Sequence, residues 1–177
     1  LKNKEIRDTK CTIAKQMFEL TDSMTLKIAC LSILISKGKG VKQLNSFYSQ
    51  YEDDISLVDR WFSIQAQFCP PKQSVKIIKS LCEHQKFKFL NPNNFNSVIT
   101  TFAKMNFSGF NLKNGKGYQL VAEWIKKIDA FNPQVAARAT KTFEHISFLA
   151  DHYSCKALKP LKDIQRTKNL SKDTSEI

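Results

Sequence analysis

The stretch Asp54-Ile55-Ser56-Leu57-Val58-Asp59-Arg60-Trp61-Phe62-Ser63-Ile64-Gln65-Ala66-Gln67-Phe68 decides the fold class. Leu57, Val58, Trp61, Phe62 and Gln65 recur at spacings of three and four, which places both aromatics on one face of a helix. The same period continues in Val75, Ile78, Leu81 and Cys82, and again in Phe95, Val98, Ile99 and Phe102. Val121, Trp124, Ile125 and Ile128 repeat it, followed by Val135, Ala139, Thr142, Phe143 and Ile146. No stretch alternates apolar and polar residues long enough for a half-buried strand, so the chain reads as all-α. Trp61, Phe62, Phe102, Trp124 and Phe143 are expected to be largely buried.

The breaks between helices carry their own chemistry. Asn91-Pro92 and Asn132-Pro133 each set a capping side chain before a proline that has no N–H to leave unsatisfied. Cys69-Pro70-Pro71 ends one helix and begins another, because the residue before proline avoids the α conformation. Gly38 and Gly40 interrupt after Ile35, Asn114-Gly115-Lys116-Gly117 forms a turn, and Thr25 or Ser23 is expected to cap the helix of Leu26 to Ile35. About nine helices of roughly 10 to 17 residues follow from these spacings. Short links favour antiparallel pairs, and a row of such pairs without a fixed period makes an irregular α-solenoid or superhelix. Residues 1–177 read as a single domain, with the polar tail of residues 167–177 expected to fray or pack loosely.

A chain of 177 residues with 42% hydrophobic and 25% charged residues can bury one ordinary core. Its apolar run at Ile28 to Ile35 is too short for a bilayer, and the charged stretch Leu1 to Lys15 has no signal-peptide pattern, so the expectation is a soluble protein with no membrane partner. Leu1 is not an initiator methionine, which suggests a piece of a longer polypeptide. Five irregularly spaced cysteines without a C-x-x-C pair suggest free thiols in a reducing, cytoplasmic setting.

A net charge of +12 raises nucleic acid as a partner. Lysine supplies nearly all of it, with arginine only at positions 7, 60, 138 and 166. Arginine forks dominate specific phosphate and base contacts, so no specific nucleic-acid partner is expected. Chemistry is equally sparse. His84, His145 and His152 lack the H-E-x-x-H spacing of a zinc helix, and Gly115-Lys116-Gly117 lacks the strand and spacing of a dinucleotide loop. Nothing assigns a cysteine a thiolate-favouring neighbour. The chain by itself reads as not catalytic, with no cofactor of its own.

Three segments carry a resemblance. Asp59-Arg60-Trp61-Phe62-Ser63-Ile64-Gln65-Ala66 resembles a D-[KR]-W-F-x-[IL]-Q-A stretch. Phe89-Leu90-Asn91-Pro92-Asn93, with Thr101-Phe102-Ala103 after it, resembles NPN followed by FA. Gly115-Lys116-Gly117-Tyr118 and Asn132-Pro133-Gln134-Val135-Ala136-Ala137-Arg138 are similar to G-S-G-Y and N-P-Q-V-A-[AS]-R. In this order, all three resemble the C-terminal region of bacterial aminopeptidase N, the zinc-dependent alanyl aminopeptidases of the gluzincin class. Asp22-Ser23-Met24-Thr25 and Asn169-Leu170-Ser171-Lys172-Asp173 extend the likeness to both ends.

The resemblance implies a C-terminal domain that closes over a catalytic domain of the same polypeptide and lines the chamber where peptide substrates are held. Zinc would then sit in that other domain, and this one would shape access without performing hydrolysis. It also implies substrate-binding roles for Arg138 and Gln134, one turn apart on the helix that Asn132-Pro133 begins. Arg138 is expected to meet a peptide carboxylate, unless it pairs with Asp129 or Glu144. One departure stands out: where the family places arginines, this chain has Asn94-Phe95-Asn96-Ser97, so the chamber-facing position is Asn96. Two other readings compete, an independent α-solenoid interaction module and a basic nucleic-acid-binding helical domain.

Overall fold

The computed structural model describes the backbone of residues 2–176 and the side-chain surroundings of residues 9–176. Described elements are all helical: α1 (Lys2–Leu20), α2 (Met24–Ser36), α3 (Val41–Tyr51), α4 (Ile55–Phe68), α5 (Ser74–Cys82) and α6 (Pro92–Phe95). A π turn (Asn96–Thr100) leads into α7 (Thr101–Met105), followed by α8 (Phe107–Phe110), α9 (Lys116–Asp129), α10 (Pro133–Thr140), a 3-10 segment (Lys141–Phe148), α11 (Asp151–Gln165) and α12 (Lys172–Ser175). Joined where they run on without a break, these make eleven helical stretches among the described residues, rather than about nine. The two extra are α8 and α12, each four residues long. A segment that short has no room for a three-four repeat to declare itself.

Packing follows chain order, as a solenoid requires. Helix α1 lies on α2, α3 on α4, and α9 on α10, while α2 and α7 meet α4 and α11 meets α9. Helix α5 bridges the halves by touching both α4 and α9. The predicted stripes point inward: Phe95, Val98, Ile99 and Phe102 are wholly buried, and so are Phe62, Val121 and Ile125. Burying each large apolar side chain contributes about 1.5–3 kcal/mol. Trp61 is buried too, and its indole N–H donates to the Leu44 carbonyl at 3.1 Å, which fixes α4 against α3. Trp124 is the exception. It is half-buried, its ring meeting Phe87 and Phe89 while Lys127 Nζ lies 4.5 Å from its centroid.

Local capping largely matches the turn chemistry. Asp54 caps α4 by accepting from the backbone N–H groups of Ser56 and Leu57. Ser23 occupies the cap position of α2, but its side chain makes no capping bond; its N–H donates instead to Thr21 Oγ1. Gly115 begins α9 with φ +73°. Two residues on, a Cβ added to Gly117 would lie 2.2 Å from the Phe110 carbonyl oxygen, so only glycine lets α9 sit this close to α8.

One buried side chain ties together segments far apart in sequence. Asn106 Nδ2 donates to the carbonyls of Ala66 and Cys69 at 3.1 and 3.0 Å, while its Oδ1 accepts from the Gly109 N–H. It thereby closes the end of α4 and begins α8. The segment after Thr167, expected to fray or pack loosely, is fastened to α9. Buried Asp129 accepts from the Ser171 N–H at 2.9 Å and from Ser171 Oγ and Thr174 Oγ1.

Candidate functional site

Two helix starts built on Asn-Pro anchor the candidate site. At the first, Asn91 Oδ1 accepts from the N–H groups of Asn93 and Asn94, and Pro92 takes the first helical position. Asn94 is buried and bridges in two directions: its Oδ1 accepts from the Lys88 N–H, and its Nδ2 donates to Asp59 Oδ1 on α4. Asn94 is thus tied into the fold on both sides, and Asn96, not Asn94, is the position at which the chain departs from the family pattern. Asn96 begins the π turn half-buried, its Oδ1 accepting from Thr100 Oγ1 at 2.7 Å. Such turns insert one extra residue into a helix and recur at functional sites.

At the second start, Asn132 Oδ1 accepts from the Val135 N–H at 3.2 Å, and Pro133 opens α10. Val135, Ala136, Ala139 and Thr140 turn inward. Gln134 and Arg138 are both exposed and lie four residues apart, which puts them on one face. Arg138 has no ion pair among the described residues. Asp129, one of its two candidate partners, is occupied by Ser171 and Thr174 instead.

Aromatic contacts join the two starts. Phe89, just before the first, meets Phe131, just before the second, with ring centroids 5.8 Å apart. Lys127 Nζ stands 4.4 Å from the Phe89 centroid. Phe131 stays 64% exposed, and Leu90 beside it is also open to solvent, so apolar surface flanks the polar pair on α10. The contact between Phe89 and Phe131 was not foreseen from the sequence. Their approach depends on how two distant turns stack, and no local pattern encodes that.

The titratable groups elsewhere point to structure. Burial pushes the Cys82 thiol up to about 12 and the Cys69 thiol up to about 11, so both are neutral thiols near pH 7 and poor nucleophiles. Tyr118, wholly buried and donating to Asn111 Oδ1 at 2.6 Å, is pushed up to about 12 by burial. His84 sits edge-on to Tyr48 and Phe62. Ala150 separates His145 from the helix that carries His152. Among the described residues no three His, Cys, Asp or Glu side chains gather as a metal would need, so the residues present do not fit zinc. None of the helices among the described residues is long and apolar enough to cross a membrane. A cavity of about 710 Å3 between α5 and α9 is bordered by Lys72, Lys76, Lys79 and Lys116, but also by Glu83 and Glu123. That mixture is not the single-sign stripe that tracks a phosphate backbone.

Comparison with known proteins gives a consistent picture. Residues 3–177 match the model of a domain of unknown function with ARM repeats, DUF3458_C. The chain is 28% identical over 166 residues to aminopeptidase N of Haemophilus influenzae, covering 93% of this chain and 19% of that protein. It is 35% identical over 124 residues to aminopeptidase N of Caulobacter vibrioides, covering 68% of this chain and 14% of that protein. Among solved structures, the crystal structure of Legionella pneumophila aminopeptidase A in complex with aspartic acid superposes with a TM-score of 0.87 at 30% identity. That match covers 97% of this chain and 20% of the other. The chain therefore spans a fifth or less of the length of these relatives, and its likeness is to one domain of each.

Proposed function

Since the chain belongs to the DUF3458_C family of ARM-repeat domains, we propose that it is the C-terminal substrate-chamber domain of a zinc metalloaminopeptidase that removes N-terminal residues from peptides. In this reading it caps the catalytic domain of the same polypeptide and lines the cavity through which peptides enter. Zinc and the hydrolytic groups belong to that other domain, and the chain alone leaves substrates intact. The relatives are named aminopeptidase N and aminopeptidase A, so the likeness carries no preference for one N-terminal residue. A cytoplasmic location suits the five free thiols.

The observation that carries the proposal is the exposed pair on α10. Gln134 lies in the first turn of α10, where the helix dipole favours anions, and Arg138 stands one turn further on without an ion pair among the described residues. An arginine fork forms charge-assisted, often bidentate, bonds to a carboxylate, and a free peptide ends in one. Gln134 adds an amide that can bond the adjoining peptide group. Exposed Leu90 and Phe131 support a surface that another domain covers, since large apolar side chains left open mark contact surfaces.

The decisive experiment uses the longer polypeptide. Arg138→Ala should lower kcat/KM for short peptides by about tenfold or more, as loss of a charge-assisted bond implies. Turnover of chromogenic amides that carry no carboxylate should be spared. Equal loss on both substrates, together with a lower unfolding temperature, would make the arginine structural. A reading frame before Leu1 that lacks H-E-x-x-H would remove the aminopeptidase reading altogether.

A further inference from the structure

The eight residues Lys141–Phe148 wind as a 3-10 helix directly after α10. Runs of that winding beyond three or four residues are uncommon, because its hydrogen bonds are poorly aligned. Nothing local demands it. No glycine or proline stands between Gln134 and Leu149. Ala136, Ala139, Phe143 and Ile146 follow one another at three, four and three, the spacing of one α-helical face, and all four are buried. The sequence thus supports an α-helix running on from α10, and the fold winds it more tightly.

The cause lies at the two ends. Helix α10 packs on α9 and α12, and α11 packs on α9, so both flanking helices are anchored. Between the segment and α11, Leu149 (φ −86°, ψ 154°) and Ala150 (φ −56°, ψ 146°) are already extended. Eight residues reach about 16 Å as a 3-10 helix and about 12 Å as an α-helix. The 3-10 form therefore spans a gap that the α form would leave about 4 Å short. Local bonds fit the stretched form: Thr142 Oγ1 donates to the Ala139 carbonyl at 2.7 Å, and the Leu149 N–H to the Ile146 carbonyl at 3.1 Å. Along its flank, an open cavity of about 420 Å3 lies between the segment and α7 and α8. Lys141, Glu144 and His145 border it and are exposed, and Phe148 is 84% exposed, so solvent and not packing covers this side.

We propose that Lys141–Phe148 is a two-state strap, which rewinds as an α-helix continuous with α10 and draws the start of α11 about 4 Å toward it. The extended link at Leu149 and Ala150 has no slack to give, so the pull reaches Asp151. Phe143 and Ile146 keep their inward face in both windings, half-buried Leu149 swings outward, and the wider α form moves into the open cavity. The strap joins α10, which carries Gln134 and Arg138, to the helix that follows. A contact that favours one position of α10 therefore biases α11 as well. Both states follow from the geometry of this segment and do not depend on the aminopeptidase reading.

The test follows the 177-residue chain by NMR. Contacts from α protons to amide protons two residues on should run through residues 141–148, as the 3-10 winding requires. Relaxation dispersion at residues 141–153 should report exchange with a minor form populated at about 0.1–10%, while α9 stays flat. Phe148→Lys sets a cation four residues after Glu144. The two positions face each other in an α-helix but stand about 120° apart in the 3-10 winding. This variant should raise the minor population about twofold, and about 1 M salt should cancel the rise. Phe148→Gln removes the same exposed ring without adding charge and should leave the population unchanged. The proposal fails if residues 141–153 show no exchange, if Phe148→Gln acts as strongly as Phe148→Lys, or if salt leaves the rise intact. It also fails if α-proton to amide contacts four residues apart span the segment in the unaltered chain, because the α form would then be the ground state. None of these outcomes depends on whether the longer polypeptide hydrolyses peptides.

Discussion

Thr174 Oγ1 donates to Asp129 Oδ1 at 2.6 Å across a sequence separation of 45, and this bond holds the end of the chain against α9. Asp129 also receives the Ser171 N–H and hydroxyl, so one buried carboxylate serves three donors. Asp129→Ala would leave all three without an acceptor. The expected loss is about 2–3 kcal/mol, read as a lower midpoint in urea, with faster amide exchange over residues 171–176. Unchanged exchange there would mean the tail is held by other contacts.

Gly117→Ala tests the close approach of α9 to α8. The new methyl would meet the Phe110 carbonyl at 2.2 Å and the Gly109 carbonyl at 2.8 Å, and both are backbone atoms that cannot rotate aside. Overpacking of this kind costs about 1–3 kcal/mol or more. A thermal melt should show the drop plainly. A variant as stable as the parent chain would mean that the two helices can separate without penalty.

Tyr48 offers the opposite case. Its hydroxyl is buried without a hydrogen-bond partner among the described residues, while its ring packs on Trp61 and His84. Tyr48→Phe removes only the unsatisfied group and keeps the ring. Stability should therefore hold or rise by up to about 1 kcal/mol. Destabilisation on denaturant unfolding would reveal a partner for that hydroxyl.

The pH dependence should carry a histidine signature. Burial, followed by the charge of Lys86, lowers the pKa of His84 below its usual value, and its Nδ1 accepts from the Lys86 N–H at 3.2 Å. The unfolded chain then binds this proton more readily than the folded one. The contribution is fully present above the ordinary histidine pKa of about 6.5 and is lost as pH falls through it toward the lower folded value. The unfolding temperature should decline from about pH 7 to about pH 5, and His84→Gln should flatten that part of the curve. An identical slope in the variant would assign the decline to the carboxylates.

Much of this is legible in the order of residues alone. Phe95, Val98, Ile99 and Phe102 repeat at three and four, and all four are wholly buried. Asn91 and Asn132 precede prolines, and both cap their helices through side-chain oxygen. Arg138 and Gln134 share an exposed face because four residues make roughly one helical turn. These features depend on neighbours within a turn of chain, so the order of residues determines them.

Other features depended on which distant segments came together. Asn106 reads as one more polar residue near a helix end, yet it closes α4 through bonds to residues 37 and 40 positions earlier. Trp124 sits at core spacing but stays half-buried, packed on buried Phe87 and half-buried Phe89. The Asp129 anchor and the π turn at Asn96 likewise have no period or motif of their own. Periodicity records only which side of a helix faces inward. How far each helix advances against its neighbours, and so which polar groups meet, is set by packing across the whole chain.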